Sequence, residues 1–153
     1  SEIISNHGYT PGNKLFAVEL KPASAEIAGL FGMDRSTEFI YVERVRLAND
    51  NPIVYVKDYI KNDDCLFQIL QDKDWQSIYA GLKSCGYEIA YAQCNISAVL
   101  STTAIQEKLD LEQEQALLHL RQLHYLANNS LMMYSESFFI TEKFEFNLLR
   151  NQL

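Results

Sequence analysis

The stretch FIYVERVRLANDNPIVYVKDYI, residues 39–60, holds two strand-like runs around a polar turn. Apolar residues dominate FIYVERVRL and IVYVKDYI, whose β-branched and aromatic side chains favour extended backbone. The Asn-Asp-Asn between them tolerates the positive φ angles of a tight turn. The segment therefore predicts an antiparallel β-hairpin.

Two arginines stand one residue apart in the first strand of this hairpin. Side chains two apart on a strand share a face, so Arg44 and Arg46 project in the same direction. Burying guanidinium groups is costly unless a carboxylate or a bound anion neutralises them. An internal carboxylate such as Glu26 or Asp58 would serve as a purely structural partner. From spacing alone this structural pairing is preferred, and the alternative is that two arginines on one face bind a doubly charged anion.

The remaining segments alternate between strand and helix patterns without a strict βαβ order. Strands are predicted at 14–21, 87–100, 116–126 and 131–140, and helices at 22–33, 74–86 and 101–111. This mixed order predicts the α+β class, with a largely antiparallel sheet and flanking helices.

A second hairpin is predicted around Asn128 and Asn129, and it resembles the first. LANDNPIVYV (47–56) and LANNSLMMYS (126–135) share Leu-Ala-Asn before the turn and a Tyr four residues after it. Turn chemistry by itself would explain the shared asparagines. The alternative is a pseudo-repeat in which the hairpins form two halves of one sheet, with a crevice between the halves as a natural ligand site.

Length and composition narrow the function classes. The 153 residues make one ordinary domain, and 13 basic against 20 acidic residues give a net charge of −7, which argues against direct binding of a phosphodiester backbone. No apolar run approaches the length of a membrane span. The scattered Cys65, Cys85 and Cys94 favour reduced, buried thiols over a disulfide or zinc site. No metal or other cofactor is predicted.

The histidines of the second hairpin and its two adjacent methionines are interpreted as structural residues. His119 and Arg121 share a strand face and His124 lies on the opposite one, so a metal triad is not expected and a partly exposed sheet surface is preferred. Met132 and Met133 are interpreted as core residues, with pliable pocket lining as the alternative.

Four stretches, in order and at family spacing, resemble the UTRA domains of HutC-type bacterial regulators in the GntR superfamily. They cover nearly the whole chain and read HGYTPGNKLFAVELKPASAEIAGLFGM, VERVRLANDNPIVYVKDYI, QSIYAGLKSCG and MMYSESFFITEKFEF. The resemblance implies that residues 1–153 form one ligand-sensing domain with a chorismate-lyase-like fold. It also implies a winged helix-turn-helix DNA-binding domain that would precede Ser1 and is not in this chain.

The same resemblance implies a function. We expect a cytoplasmic, non-enzymatic homodimer that binds a small anionic effector, phosphorylated and sugar-like, and contacts DNA only through the missing domain. Apolar residues near Phe138, Phe139 and Phe144 are expected to contribute to the dimer interface. A small chorismate-lyase-like enzyme is the second hypothesis, and a stand-alone interaction module is the third. No nucleophile with its base is apparent in the sequence.

Site residues follow from the resemblance position by position. The family's phosphate-binding residues map to Arg44, Arg46, Ser77 and Tyr79. Ser77 is expected near a helix start, where free N–H groups favour an anion.

The remaining family positions concern the rest of the ligand. The acidic residue used for effector hydroxyls maps to Glu136, beside Tyr134, and Val56 stands where many members have Glu. The segment that closes over the ligand corresponds to His7, Gly8 and Tyr9, for which a disordered lead-in is the alternative.

Overall fold

The computed structural model describes residues 8–152. The strands are β1 (Pro11–Pro22), β2 (Glu38–Ala48), β3 (Asn51–Lys61), β4 (Ile89–Leu100), β5 (Ala116–Leu126) and β6 (Leu131–Ile140). The helices are α1 (Ala25–Leu30), α2 (Asp64–Gln71), α3 (Ile78–Ser84) and α4 (Thr103–Leu109). The predicted α+β fold is confirmed, with every predicted strand present.

The described strands form one six-stranded antiparallel sheet in the order β1-β2-β3-β6-β5-β4. The units β1-α1-β2-β3 and β4-α4-β5-β6 have the same order of elements, and α2 and α3 connect them. The two units meet in the sheet where β3 pairs with β6. The two hairpins therefore occupy the centre of the sheet, as the pseudo-repeat predicts. Their turns contain Asn49, Asp50 and Asn129 at φ angles of 48°, 66° and 64°.

Strand register decides which side chains share a surface. Arg44 lies opposite Val56, and Asp58 on the same strand lies opposite Ser135 of β6. Because side chains alternate along each strand, Arg44, Val56, Asp58 and Ser135 project from one side of the sheet. We call this side the cavity face and the other side the opposite face.

Helices cover both faces with apolar side chains. On the cavity face, α2 and α3 pack against the outer part of the first hairpin; this cluster contains Ile40, Val42, Ile60, Leu66, Leu70, Ile78 and Leu82. On the opposite face, Ile105 and Leu109 of α4 pack against Val45, Tyr55 and Phe138. The centre of the cavity face is left for polar side chains.

Helix α2 was not predicted, and the three predicted helices are shorter than expected. Asp63 caps α2 by accepting a hydrogen bond from the backbone N–H of Leu66. The helix predicted at 74–86 begins only at Ile78, because Ser77 is its N-cap and the preceding residues form a loop. The helix predicted at 22–33 begins after the cap Ser24, and Gly32 lies beyond its end with a φ of 66°.

The prediction of reduced, buried thiols was wrong for Cys65 and Cys85, and for Cys94 it was right about the free thiol and wrong about burial. Cys65 in α2 and Cys85 at the end of α3 form a disulfide, and Cys94 is an exposed free thiol. Their pairing depends on α2 and α3 lying side by side, which sequence spacing does not indicate. The disulfide ties together the two helices that cover the cavity face.

The three phenylalanines expected at a dimer interface are buried within the chain. Phe138, Phe139 and Phe144 are each less than a tenth exposed. Phe139 contacts Phe144 edge to face, with ring centroids 5.4 Å apart. Between residues 8 and 152, no helix is both long and apolar enough to cross a membrane.

Candidate functional site

A cavity of about 600 Å³ lies on the cavity face, over the junction of the two hairpins. Its floor is formed by strands β2, β3, β6 and β5, and its roof by the segment that leads into α3 and by the chain after β6. The lining residues are Arg44, Arg46, Val54, Val56, Asp58, Gln76, Ser77, Ile78, Tyr79, Gln122, His124, Met133, Ser135, Ser137, Phe139 and Phe144. The sheet thus supplies the charged side chains, and the sheet and the roof both supply hydroxyl and amide groups.

Arg44 is buried at the floor with only part of its hydrogen-bonding capacity used. Its guanidinium carbon lies 5.2 Å from the ring centre of Trp75, and its Nη2 atom lies 3.7 Å from Oδ2 of Asp58. The N–H groups of Nε and Nη1 are buried and donate to no acceptor among the residues that the structure describes. Burial lowers the pKa of the guanidinium, against the attraction of Asp58.

Arg46 is half-buried beside Arg44. Burial first, and the charge of Arg44 second, lower the pKa of Arg46 to about 10, so it still carries its charge at neutral pH. Its Nε atom also has no hydrogen-bond partner within the described part of the chain. Asp58 is the one carboxylate among the described lining residues, so two guanidinium groups share a single internal counter-charge.

A chain of hydrogen bonds runs from this carboxylate to the roof. The Ser135 hydroxyl donates to Oδ1 of Asp58 over 2.6 Å, and Nε2 of His124 lies 3.1 Å from the Ser135 oxygen. Nδ1 of His124 is hydrogen-bonded to the Tyr79 hydroxyl. The chain connects the exposed Tyr79 on α3 to the fully buried Asp58 on β3.

The direction of these hydrogen bonds follows from the carboxylate. Ionised Asp58 can only accept, so Ser135 donates to it, His124 donates through Nε2–H, and Tyr79 donates to Nδ1. Burial lowers the pKa of His124 to about 4, which keeps the ring neutral as this arrangement requires. A nucleophilic serine needs the reverse polarity, with histidine accepting the hydroxyl proton. The arrangement is therefore suited to holding Asp58 in place, and not to activating Ser135.

Asp58 itself is shifted toward its neutral form by its surroundings. Burial raises the pKa of this carboxyl, while the charge of Arg44 and the hydrogen bond from Ser135 act in the other direction. The pKa of Tyr79 is also raised, by burial first and by the charge of Asp58 second. Its hydroxyl therefore remains a proton donor at neutral pH.

The predicted phosphate-binding residues come together around the cavity. Arg44, Arg46, Ser77 and Tyr79 all line it, and Val56 lies directly across from Arg44. Ser77 caps α3, and its hydroxyl oxygen accepts the backbone N–H of Ala80 over 3.2 Å.

Glu136 and Tyr134 do not reach the cavity, contrary to expectation. The pairing of Ser135 with Asp58 puts Ser135 on the cavity face, so its two neighbours on β6 project to the opposite face. There, Tyr134 donates a hydrogen bond to Glu136 over 3.1 Å, and Nε2 of His119 lies 3.4 Å from Oε2 of Glu136. Strand alternation separates this pair from the arginines.

The predicted lead-in lies partly next to the cavity wall. His7 falls outside the described residues, and Gly8 is exposed with a φ of 80°. Tyr9 is half-buried and packs against the apolar cluster that contains the wall residues Val54 and Phe139. Neither Gly8 nor Tyr9 lines the cavity.

Sequence reasoning missed the polar floor of the second hairpin. His124 was interpreted as partly exposed surface, but it is 5% exposed and lines the cavity. Ser135 and Ser137 were not singled out, although their spacing of two residues places both on one face. Met133, interpreted as core, belongs both to the core and to the lining. A signal was present in the alternation of small polar residues along β6.

Comparison with known families identifies the family of this chain. A family model described as the UTRA domain matches residues 6–145. The HTH-type transcriptional repressor NagR of Bacillus subtilis is 24% identical over 148 residues, which are 95% of this chain. The chain spans 60% of the length of that relative.

Solved structures of regulators share the fold at low sequence identity. The effector domain of PhnF from Mycobacterium smegmatis superposes with a TM-score of 0.88 at 16% identity, covering 99% of this chain and 95% of that one. A GntR-family transcriptional regulator from Enterococcus faecalis gives a TM-score of 0.76 at 22% identity, covering 91% of this chain and 100% of that one. These likenesses establish the architecture of the sheet and its helices.

Proposed function

Since the chain belongs to the UTRA domain family, we propose that it is the effector-binding domain of a GntR-family transcriptional regulator and that its cavity binds a small phosphorylated, sugar-like anion. The observation that carries this proposal is the mismatch of charge at the floor. Two arginines face one carboxylate, and three of their N–H-bearing nitrogens have no partner among the described residues.

An anion would complete this arrangement. Buried donors without acceptors are unfavourable by about 1 to 3 kcal/mol each, so a fold that keeps them gains when an acceptor arrives. Two guanidinium groups and one carboxylate leave a formal charge of +1 at the floor. Arginine presents planar, paired donors that match phosphate oxygens, which favours phosphate over a single halide or hydroxyl.

The rest of the cavity suits a small polar molecule. Its volume of about 600 Å³ falls within the range of small-ligand sites. Hydroxyl and amide groups of Gln76, Ser77, Gln122 and Ser137 line it, and they can contact ligand hydroxyls. Apolar Val54, Val56, Met133 and Phe139 surround them and would exclude water.

The regulatory readout is proposed to lie outside this chain. NagR is an HTH-type transcriptional repressor, and this chain spans 60% of its length. We place the whole protein in the cytoplasm, in the HutC-type group, with DNA contacted through a separate winged helix-turn-helix domain. A net charge of −7 supports the view that this domain does not itself bind DNA.

A homodimer is part of the proposal, and the edge strand β4 is its best-supported contact. β4 is twelve residues long, carries no charged residue, and is largely exposed along its length. Its Ile96 and Leu100 are 54% and 62% exposed. A long, uncharged edge with free backbone groups favours pairing with a second copy.

Ligand-induced thermal stabilisation tests the cavity assignment. A screen of sugar phosphates, amino-sugar phosphates, phosphonates and carboxylates should raise the melting temperature for a phosphorylated class, since a ligand at a hundred times its Kd adds roughly 2.7 kcal/mol. Replacing Arg46 by Ala should weaken that ligand about tenfold to a hundredfold. Glu136→Gln, on the opposite face, is the matched control and should keep full binding.

Two outcomes would contradict the proposal. One is an Arg46→Ala protein with an unchanged ligand-induced shift. The other is the absence of stabilisation by every anion in the screen. The dimer is tested separately by light scattering at micromolar concentration, where Ile96→Lys on β4 should reduce the mass to that of one chain. A wild-type protein that already has the mass of one chain would count against dimerisation.

A further inference from the structure

We infer that Asp58 binds an ammonium group of the ligand, so that the cavity selects a phosphate or phosphonate dianion with a primary ammonium close to it. This inference rests on the proposed function, because it assumes that Arg44 and Arg46 hold the phosphate. It assigns Asp58 a specificity role and takes the second ligand contact from β3, instead of from Glu136 on the opposite face.

The two oxygens of Asp58 are used unequally. Oδ1 accepts a hydrogen bond from Ser135 at 2.6 Å. Oδ2 is buried, has no hydrogen-bond partner in the described part of the chain, and lies 3.7 Å from Nη2 of Arg44. A carboxylate whose role was solely to pair an arginine would approach it to about 2.8 Å, often through both oxygens. Oδ2 is therefore a buried acceptor at the cavity floor whose hydrogen-bonding capacity is not used by the described residues.

Asp58 is held in this position from behind. Ser135 donates to Oδ1, His124 donates to Ser135, and Tyr79 completes the hydrogen-bonded chain at the roof. With Oδ1 fixed, the carboxylate cannot turn its other oxygen away without breaking a buried hydrogen bond. A pre-positioned acceptor loses little conformational entropy when a donor binds it.

The charge at the floor indicates which donor fits. Two guanidinium groups and one carboxylate sum to +1, so a phosphate dianion would leave the buried site at −1. A primary ammonium on the ligand brings the sum to zero and places its N–H groups against Oδ2. A neutral hydroxyl would satisfy the hydrogen bond and leave the net charge in place, which is unfavourable in a cavity walled by apolar side chains.

Other residues of the lining do not offer the same recognition. Val56, directly across from Arg44, is apolar, and Asp58 supplies the single carboxylate among the described residues that line the cavity. Asp58 lies two residues after Val56 on β3, so the two side chains share a face, and Asp58 lies close to the same arginine, Arg44. The ammonium contact is thereby assigned to Asp58 by position and charge.

Three matched probes separate charge from hydrogen bonding. The wild-type domain is titrated by calorimetry with 2-aminoethyl phosphate, its N,N,N-trimethyl analogue, and ethyl phosphate. The primary ammonium should bind about tenfold to a hundredfold more tightly than ethyl phosphate. The trimethyl analogue keeps the positive charge but has no N–H, so it should lose most of this preference.

Asp58→Asn identifies the residue responsible. The amide keeps the shape and still accepts from Ser135, so circular dichroism should report a folded domain, while the preference for 2-aminoethyl phosphate should fall to about threefold or less. Glu136→Gln should keep the wild-type preference. If Asp58→Asn does not fold, Asp58→Glu, which keeps the charge and moves the carboxylate, replaces it and should reduce the preference for 2-aminoethyl phosphate.

The possible outcomes distinguish failure of the ammonium contact from failure of the proposed phosphate site. Equal affinity of the wild type for 2-aminoethyl and ethyl phosphate would overturn the ammonium contact and leave the phosphate site standing. An Asp58→Asn protein that is folded and keeps the full preference would overturn the assignment to Asp58. Failure of all three phosphates to bind would overturn both.

Discussion

The charged side chains on the two faces of the sheet are arranged differently. On the opposite face, Glu43, Lys57, Glu136 and Arg121 are cross-strand neighbours on four successive strands, with alternating sign. On the cavity face, two arginines share one carboxylate. The first set places opposite charges next to one another across the sheet, whereas the second leaves buried donors and an acceptor without hydrogen bonds among the described residues.

The tyrosines of the opposite face complete its pairing. Glu43 accepts hydrogen bonds from Tyr41 at 3.1 Å and Tyr55 at 2.8 Å, and it forms an ion pair with Lys108 at 3.1 Å. Burial would raise the pKa of Glu43, but the hydrogen bonds from Tyr55, Lys108 and Tyr41 outweigh it and lower the pKa. Charged residues in a strand therefore indicate a ligand site only when their partners are missing.

The largest loss of stability is expected when Asp58, the carboxylate shared by the two arginines, is removed. Asp58→Ala leaves Arg44 buried without a counter-charge and should lower the free energy of unfolding by about 3 to 5 kcal/mol, measured by urea denaturation. Glu136→Ala on the opposite face is the control. A loss of less than about 1 kcal/mol for Asp58→Ala would mean that the arginines do not depend on this carboxylate.

The disulfide offers a second contrast, since it ties the helices on the cavity face only. Cys65 and Cys85 are 20 residues apart, and removing a crosslink of that span should lower stability by about 3 kcal/mol under oxidising conditions. Cys85→Ser should show this loss, and the difference from the wild type should vanish in dithiothreitol. Cys94→Ser, which removes an exposed thiol, should be neutral. A difference that persists after reduction would point to packing instead.

Lowering the pH should reduce the stability of the domain through His124 on the cavity face. The folded-state pKa of His124 is about 4, below its ordinary value of 6.5, so the unfolded chain binds more protons between these values. Stability contributed by neutral His124 is therefore present above pH 6.5 and lost as the pH falls toward 4. The loss attributable to His124 should be about 2 kcal/mol between pH 7 and pH 4.5.

Variants assign this pH dependence to one residue. His124→Gln should remove that component from stability curves measured across the same pH range, whereas His119→Gln on the opposite face should retain it. Comparison with the wild type cancels the contribution of the acidic residues that titrate in the same range. Parallel curves for wild type and His124→Gln would argue against a buried, neutral imidazole.

The smallest effect on stability is expected at Glu136, which the sequence analysis placed in the ligand site. Glu136 and His119 are partly exposed, with side chains 24% and 16% accessible, so Glu136→Gln should change stability by less than about 1 kcal/mol. Ligand affinity should stay within about twofold, measured by the thermal-shift assay. A tenfold loss of affinity would place Glu136 in contact with the ligand after all.

Much of the fold was determined by local patterns in the sequence. The hairpin around residues 49–51 follows from β-branched runs flanking turn residues that tolerate positive φ, and the second hairpin repeats that chemistry. Alternation also placed Arg44 and Arg46 on one face. These are nearest-neighbour properties of the backbone, so they need no knowledge of the rest of the chain.

Long-range pairing decided what those patterns could not. The register of β3 against β6 sets Asp58 against Ser135 and sends Glu136 to the other side, because a shift of one residue exchanges the two faces of a strand. The packing of α2 against α3 joins Cys65 to Cys85. Sequence alone put two cations side by side, but only the tertiary structure determined that they share one carboxylate, since that depends on contacts between separate strands.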